Sequence, residues 1–228
     1  MSELSWTPAR PPERATLEGE SVRLEPLDAE RHGDELFAAS VGADESWFYL
    51  PYGPFAGREE FGAWLRIRAA LRDPLAFAIV DKGSGKASGI ETLMSIEPEH
   101  GSIEIGHIWL SPRLQRTRQA TEAIFLLARY SFDELGNRRL EWKCDAANAP
   151  SRRAAERYGF VPEGVFRQHR VIKGRNRDTA WYSITDGEWP SRRAAFESWL
   201  SPQNFDAGGR QKRSLAEIRE GIDPSAVG

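Results

Sequence analysis

The most constraining feature of the sequence is a polar loop that joins a predicted strand to the strongest predicted helix, within residues 104–123. Apolar residues recur at steps of three and four from Gln119 to Leu135, which predicts an amphipathic helix, and Gly136 follows where helix ends favour positive φ. The first turn of a helix presents unpaired N–H groups and the positive end of its dipole, so the loop predicts a phosphate-binding site. Three arginines lie in it: Arg113, Arg116 and Arg118. A solvated arginine surface fits the same spacing.

The remainder of the sequence alternates between strands and helices. Strand patterns occur at residues 21–27, 75–80, 87–96, 102–110, 139–144, 165–172 and 177–184. Helix patterns occur at residues 28–40, where Asp28 is the N-cap, and at 58–71, 119–135 and 148–158. Short turns between consecutive strands favour antiparallel pairing. The pattern therefore predicts a mixed α/β (α+β) fold with a central, mostly antiparallel sheet flanked by helices.

Both ends of the chain differ from this pattern. Residues 1–16 contain three prolines and no apolar periodicity, which predicts a flexible N-terminal arm. Residues 17–200 form the predicted folded domain, and residues 201–228 a C-terminal tail in which 214–220 favour a short helix.

Composition excludes several classes of function. A formal net charge of −3 and a pI near 5.9 supply none of the basic surface that non-specific nucleic-acid binding needs. A single cysteine, Cys144, cannot form an internal disulfide, and no apolar run approaches the roughly 18–20 residues of a membrane span. We therefore expect a cytoplasmic protein with no nucleic-acid or membrane partner. No metal is expected, because the histidines lack paired-ligand spacing: His32, His100, His107 and His169.

Four motifs in order resemble the GNAT acetyltransferases, in particular their RimJ/RimL-like branch. They are Gln115 with Ala120-Thr121-Glu122-Ala123 at the helix start, Asn148-Ala-Pro-Ser151, Tyr158-Gly159-Phe160, and Glu163-Gly164-Val165-Phe166-Arg167. The resemblance covers residues 21–189. It implies a sheet splayed where a cofactor enters, and transfer of an acetyl group from acetyl-CoA to a primary amine by direct attack in a ternary complex. The alternative on this fold is a non-catalytic CoA-binding sensor or interaction module.

The resemblance also implies how acetyl-CoA is held. Main-chain groups of Ile108 and Leu110 pair with the pantetheine arm, and Asn148 contacts the coenzyme from the other strand. The pyrophosphate site comprises Arg113, Gln115, Arg116, Thr117, Arg118, Gln119 and Ala120. The sequence departs from the family pattern where its usual glycines fall on Arg116 and Arg118. We expect both to keep right-handed helical backbone, so that their amides still face the phosphates and their side chains add contacts.

Proton transfer needs a base for the attacking amine and an acid for the departing thiolate. Glu104 is the first candidate base and His107 the alternative. The purely structural interpretations are that Glu104 is a solvated carboxylate at the end of the strand and that His107 is an imidazole packed in the core. Strict alternation places the two on opposite faces of the strand unless a bulge intervenes. Ser151 is the candidate acid and Tyr158 the fallback, although Ser151 and Asn148 also suit a helix cap. Cys144 is expected to be a small buried residue.

The acceptor is expected to be a small-molecule or peptide amine, and the protein a monomer or homodimer. The family builds its acceptor pocket between the first two helices, which points to Trp47, Tyr49 and Tyr52 as substrate-binding residues or as core. A basic cluster around residues 167–178 fits either an acidic acceptor or a solvated hairpin.

Overall fold

The computed structural model describes residues 5–223, which form an eight-stranded sheet with helices packed on it. The strands are β1 (Leu17–Glu18), β2 (Val22–Pro26), β3 (Leu75–Asp81), β4 (Ala87–Glu97), β5 (Ser102–Leu110), β6 (Arg139–Asp145), β7 (Val161–Ile172) and β8 (Arg175–Thr185). The helices are α1 (Ala29–Ser40), α2 (Arg58–Ala70), α3 (Arg118–Arg129), α4 (Ala149–Tyr158), α5 (Trp189–Leu200) and α6 (Leu215–Glu220). The strand order is β1-β2-β3-β4-β5-β6-β8-β7, and the predicted mixed α/β, mostly antiparallel fold is confirmed.

Local sequence signals define several of these boundaries. The Asp28 carboxylate accepts from the backbone N–H groups of Glu30 and Arg31, so it caps α1 as predicted. The predicted positive φ at Gly136 is observed, at 76°. The turn between β7 and β8 is tighter than expected, because Lys173 and Gly174 both adopt positive φ.

Within residues 5–223, β5 and β6 form the one parallel pair of the sheet, and the sheet splits between these two strands. Pairing stops at Glu104 and Glu141, after three residues of each strand. Beyond that point β5 continues alongside β4 as far as Leu110, while β6 continues alongside β8 as far as Asp145. The two halves diverge and leave a cleft between them, and within residues 5–223 no strand pairs with β5 on its β6 side beyond Glu104.

A bulge in β5 overturns the predicted alternation. Ile90 pairs with Trp109 and Thr92 pairs with Gly106, so β5 carries one extra residue, and His107 has a φ of 48°. The extra residue resets the alternation after Gly106. Glu104 and His107 therefore lie on the same face of the sheet.

Each face of the sheet has its own core. The face covered by α3, α4 and α5 carries the larger cluster, which includes Phe77, Leu93 and Leu127. The face covered by α1 and α2 carries an aromatic core of Trp47, Trp64, Trp109, Phe55 and Phe61. Both cores pack firmly against the β2–β5 half of the sheet, and this gives the edge of the cleft a rigid support.

The end segments contact the domain. Residues 5–16 have little regular structure, but the backbone N–H of Ala9 donates to Pro98 and that of Arg10 to Leu135. Residues 215–220 form the helix favoured by the sequence, closed by a capping box between Ser214 and Glu217. The first four and last five residues of the expected arm and tail lie outside the described residues. Helix α5 was not predicted, although Pro190 at its start is a recognised signal.

Candidate active site

The cleft between the two halves of the sheet has a volume of about 1920 Å³. This exceeds the roughly 300–1,000 Å³ of a typical small-molecule site, so the cleft has room for two reactants. It runs from the start of α3, past the diverging ends of β5 and β6, to the β7–β8 hairpin.

The start of α3 forms one end of the cleft. The Thr117 hydroxyl caps the helix by accepting from the Ala120 N–H at 3.1 Å. The N–H groups of Arg118 and Gln119 stand in the first turn, where helix geometry provides no carbonyl acceptor. Of the predicted phosphate-binding residues, all from Gln115 to Ala120 line the cleft, whereas Arg113 does not.

The backbone expectation for Arg116 is wrong. Its φ is 61°, in the left-handed region that the family's glycine would occupy without strain. The chain turns here, after the N–H groups of Leu114 and Gln115 have both donated to Ser111, so that Thr117 can reach its capping position. Arg116 remains exposed and its side chain stays free to meet an anion.

Arg118 follows the expectation for its backbone but not for its side chain. It is the first helical residue of α3. Its guanidinium donates to Glu20 at 2.6 Å and to the Leu200 carbonyl, and lies over the Phe205 ring. These contacts hold the C-terminal end of α5 against α3, so Arg118 meets the cleft mainly through its amide.

Glu104 lies at the fork of the sheet and is 5% exposed. Lys143 Nζ lies 2.9 Å from its carboxylate and 2.6 Å from that of Glu141, and the Ser95 hydroxyl donates to Glu104 at 3.2 Å. Burial raises the pKa of Glu104, while the Lys143 charge opposes this rise. A carboxylate with a raised pKa is a stronger proton acceptor than an ordinary one, which suits a base.

His107 is a weaker proton acceptor. Burial, with the charges of Arg68 and Arg177, lowers its pKa to about 4. Its Nδ1 lies 3.0 Å from the Tyr52 hydroxyl, and the two rings stack. The imidazole is therefore neutral at physiological pH and is held in one orientation.

Ser151 and Cys144 lie together on the far side of the cleft. The Ser151 hydroxyl accepts from Trp142 Nε1 at 3.1 Å, and a hydrogen bond links it to Cys144. The cap of α4 is Asn148, whose side-chain oxygen accepts from the Ser151 N–H at 3.1 Å, so the cap does not use the Ser151 hydroxyl. Cys144 is buried, and burial raises its thiol pKa, in agreement with an unreactive residue.

Tyr158 is deeper in the protein than Ser151. It is 8% exposed, between Trp142 and Phe196, and burial raises its hydroxyl pKa. Its side chain lines the cleft near the start of α3 and is hydrogen-bonded to Thr121.

The three aromatic residues predicted for the acceptor pocket occupy different places. Trp47 is 1% exposed and stacks on Trp109 in the aromatic core, so it does not line the cleft. Tyr52 supports His107 from behind. Tyr49 lines the cleft and its hydroxyl donates to the Ala147 carbonyl at 3.1 Å, which bridges the two halves of the sheet.

The structure places most of the remaining predicted site residues on the cleft wall. They are Glu104, His107, Ile108, Leu110, Asn148, Ser151 and Tyr158. Sequence analysis did not single out Lys143, which holds Glu104. The alternating charges of Arg139, Glu141 and Lys143 in β6 were the available signal, because they share one face.

The described part of the chain contains no group of three or more His, Cys, Asp or Glu side chains placed to hold a metal ion. None of the helices within residues 5–223 is long and apolar enough to span a bilayer.

Comparison with known proteins identifies the family. Residues 21–161 match the model of the acetyltransferase (GNAT) domain. The chain belongs to the GNAT acetyltransferase family. A curated relative, named "Putative ribosomal N-acetyltransferase YdaF" of Bacillus subtilis (strain 168), is 29% identical over 73% of this chain and 90% of its own. The resemblance to the GNAT acetyltransferases is thereby confirmed.

Two solved GNAT structures extend the similarity. A GCN5-related N-acetyltransferase from Brucella melitensis is 54% identical, with a TM-score of 0.93 over 95% of this chain and 99% of its own. A GNAT-family protein from Chromobacterium violaceum ATCC 12472 is 46% identical, with a TM-score of 0.78 over 83% of this chain and 96% of its own. The chain is accordingly a GNAT acetyltransferase.

Proposed function

We propose that the protein transfers the acetyl group of acetyl-CoA to a primary amine of a small molecule or peptide, by direct attack within a ternary complex. The observation that carries the proposal is the split between β5 and β6, which has Glu104 on one wall and Ser151 on the other. A buried carboxylate and a hydroxyl across a two-reactant cleft are the groups that amine acylation needs.

The chain's own groups fit acetyl-CoA. The first-turn amides of α3 and the exposed Arg116 suit a pyrophosphate. The backbone of β5 from Ile108 to Leu110 pairs with β4 but with no strand on its β6 side, where it suits an amide-containing arm, and the Leu110 carbonyl accepts from Gln115 Nε2 at 3.1 Å. The side chains of Thr117, Gln119 and Asn148 complete the proposed coenzyme site, from which Arg113 is left out because it does not line the cleft. When bound, acetyl-CoA supplies the acetyl group as a reactive thioester.

Side chains of the protein then transfer the protons of the reaction. Glu104 accepts a proton from the ammonium of the acceptor, directly or through water, and becomes neutral, while Lys143 keeps its ion pair with Glu141. Ser151 donates a proton to the departing sulfur while Trp142 Nε1 holds its oxygen. His107 is the alternative base, but its pKa near 4 favours Glu104, and Tyr158 is the fallback acid.

The base assignment is tested with two carboxylates that share one partner. Glu104 and Glu141 both bind Lys143, but only Glu104 lines the cleft. Glu104→Gln should lower kcat/KM by 100-fold or more, whereas Glu141→Gln should change it little. CoA release is followed spectrophotometrically with a panel of amines and peptides. Equal losses in both variants would reject Glu104 as the base.

The same panel tests the activity itself. Absence of acetyl transfer to every amine and peptide, in protein that binds acetyl-CoA by calorimetry, would favour the CoA-binding sensor over the transferase.

A further inference from the structure

At the end of the cleft formed by the β7–β8 hairpin, a pair of arginines has no anionic partner among residues 5–223. Arg170 on β7 and Arg177 on β8 are directly paired across the antiparallel hairpin, and both line the cleft. Like charges in directly opposed positions destabilise a sheet. Neither guanidinium forms an ion pair or a side-chain hydrogen bond with another of the residues 5–223, and the Nε of Arg177 is buried without a partner.

A second unpartnered donor lies on the same face of the same strand. Trp181 is four residues from Arg177 on β8 and therefore points to the same side of the sheet. Its Nε1 is also buried and has no hydrogen-bond partner in the described part of the chain, and Trp181 also lines the cleft. A buried donor without an acceptor costs free energy, so two of them on one wall indicate a missing acceptor group.

Arg177 acts on groups on both sides of the split. Together with burial and Arg68, its charge lowers the pKa of His107 on β5, and it also opposes the rise in the pKa of Cys144 on β6. The guanidinium is thus electrostatically close to the place where the diverging strands would present the reacting amine.

The neighbouring carboxylates are already engaged. Asp178 accepts from the Gln168 N–H at 2.7 Å and from the Asn176 amide at 2.9 Å. Asp145 accepts from the Ala147 N–H, and Glu104 binds Lys143. The positive charge of Arg170 and Arg177 is therefore left for a bound molecule.

We propose that the acceptor carries an anionic group, a carboxylate or a phosphate, on the same molecule as its amine, and that Arg177 and Arg170 bind this group. A guanidinium presents its donors in a planar fork that matches carboxylate and phosphate oxygens. The inference rests on the proposed function, because it names the class of substrate that the same cleft acetylates.

The test compares matched amines with and without the anion, using the full-length protein and saturating acetyl-CoA. The pairs are alanine and alaninamide, 4-aminobutyrate and its amide, phosphoethanolamine and ethanolamine, and peptides starting Ser-Asp and Ser-Asn. These pairs distinguish an amino-acid carboxylate, a phosphate monoester and an acidic peptide as the source of the anion.

The variants are Arg177→Gln, Arg170→Gln and, as a matched control, Arg167→Gln. Arg167 belongs to the same hairpin but does not line this cleft, and its charge acts on Asp178. In wild type, the anionic member of at least one pair should have a kcat/KM at least tenfold higher. Arg177→Gln should abolish that preference by slowing only the anionic member, and Arg167→Gln should retain it.

Two outcomes overturn the proposal. The first is equal rates for both members of every pair in wild type, and the second is a preference that survives in the Arg170→Gln/Arg177→Gln double variant. If no amine is acetylated, the transferase proposal fails separately, and calorimetric titration of phosphoethanolamine into CoA-saturated protein decides the anion site. Binding that is lost in Arg177→Gln supports the site, and binding that is absent or unchanged rejects it.

Discussion

Lys143 Nζ lies 2.9 Å from the carboxylate of Glu104, across the last paired residues of the parallel strands β5 and β6. The split of the sheet begins at this ion pair. Lys143 also binds Glu141 at 2.6 Å and lies 4.2 Å from the centre of the Trp181 ring, so its position is fixed from three directions. The proposed base is therefore held by a partly buried cation, which makes its proton affinity dependent on that cation.

Lys143 is expected to set the pH dependence of the reaction. Its charge opposes the rise in the Glu104 pKa that burial causes, so Lys143→Met should raise that pKa further. The acid limb of the kcat/KM profile should move to higher pH, with a lower rate on its acid side. Lys143→Arg, which keeps the charge, should leave the limb near its original position. A limb that does not move in Lys143→Met would contradict the assignment of Glu104.

Arg116 and Arg118 are expected to contribute to coenzyme affinity. Replacing both with alanine should weaken CoA binding at least tenfold, about 1.4 kcal/mol, as measured by calorimetry, mainly through the lost Arg116 charge, because alanine keeps the Arg118 amide. The Arg116→Gly variant distinguishes the effect of the side-chain charge from that of backbone strain. It should weaken CoA binding because the charge is lost, and it should preserve or raise the melting temperature because glycine adopts positive φ readily. Arg118→Ala should instead lower the melting temperature through its lost contacts with Glu20 and Phe205. Unchanged CoA affinity in the double variant would reject the role.

Ser151→Ala is expected to lower kcat tenfold or more while changing CoA affinity little. The reason is that the variant removes the proposed proton donor but keeps the Ser151 N–H that the Asn148 cap uses. Trp142→Phe is the matched control, because it breaks the same hydrogen bond from the other side and retains the hydroxyl. Steady-state kinetics and CoA titration of both variants check this. Equal kcat values in the two variants would mean that the hydrogen bond, and not the proton, matters.

Glu91 is expected to make stability fall as pH rises. It is fully buried on β4, and neither carboxylate oxygen has a hydrogen-bond partner among the residues that the structure describes. Burial raises the pKa of Glu91 to about 8 from an ordinary value of 4.5. Between these values the folded protein retains a proton that the unfolded chain has released. The free energy of unfolding therefore decreases with increasing pH, by up to about 1.4 kcal/mol per unit.

Glu91→Gln should remove this dependence. Urea denaturation at pH 5 to 8 should show that the free energy of unfolding of the variant increases relative to that of wild type as pH rises. The difference should be largest at pH 8. The exposed Glu99→Gln provides the reference for an ordinary carboxyl. Parallel pH profiles for Glu91→Gln and wild type would show that Glu91 is not buried as described.

Sequence patterns were sufficient for the family of this protein and for most of its elements, although not for α5. Helix α3, the caps at Asp28 and Asn148, and the strand from Ser102 to Leu110 follow from periodicity and from side chains that bond to nearby backbone. These features depend on residues within a turn or two of each other, so neighbouring sequence decides them.

Tertiary structure decided which of the candidates share the cleft. The bulge that brings His107 to the face of Glu104 depends on the register with β4, and the pairing of Lys143 with Glu104 depends on two strands that are distant in sequence. Likewise, Trp47 lies in the core because Trp109 stacks on it and Phe55, Phe61 and Trp64 pack around it. Periodicity within one strand does not reveal its register with a strand that is distant in sequence. A bulge or a one-residue shift in that register moves every later side chain to the other face of the sheet.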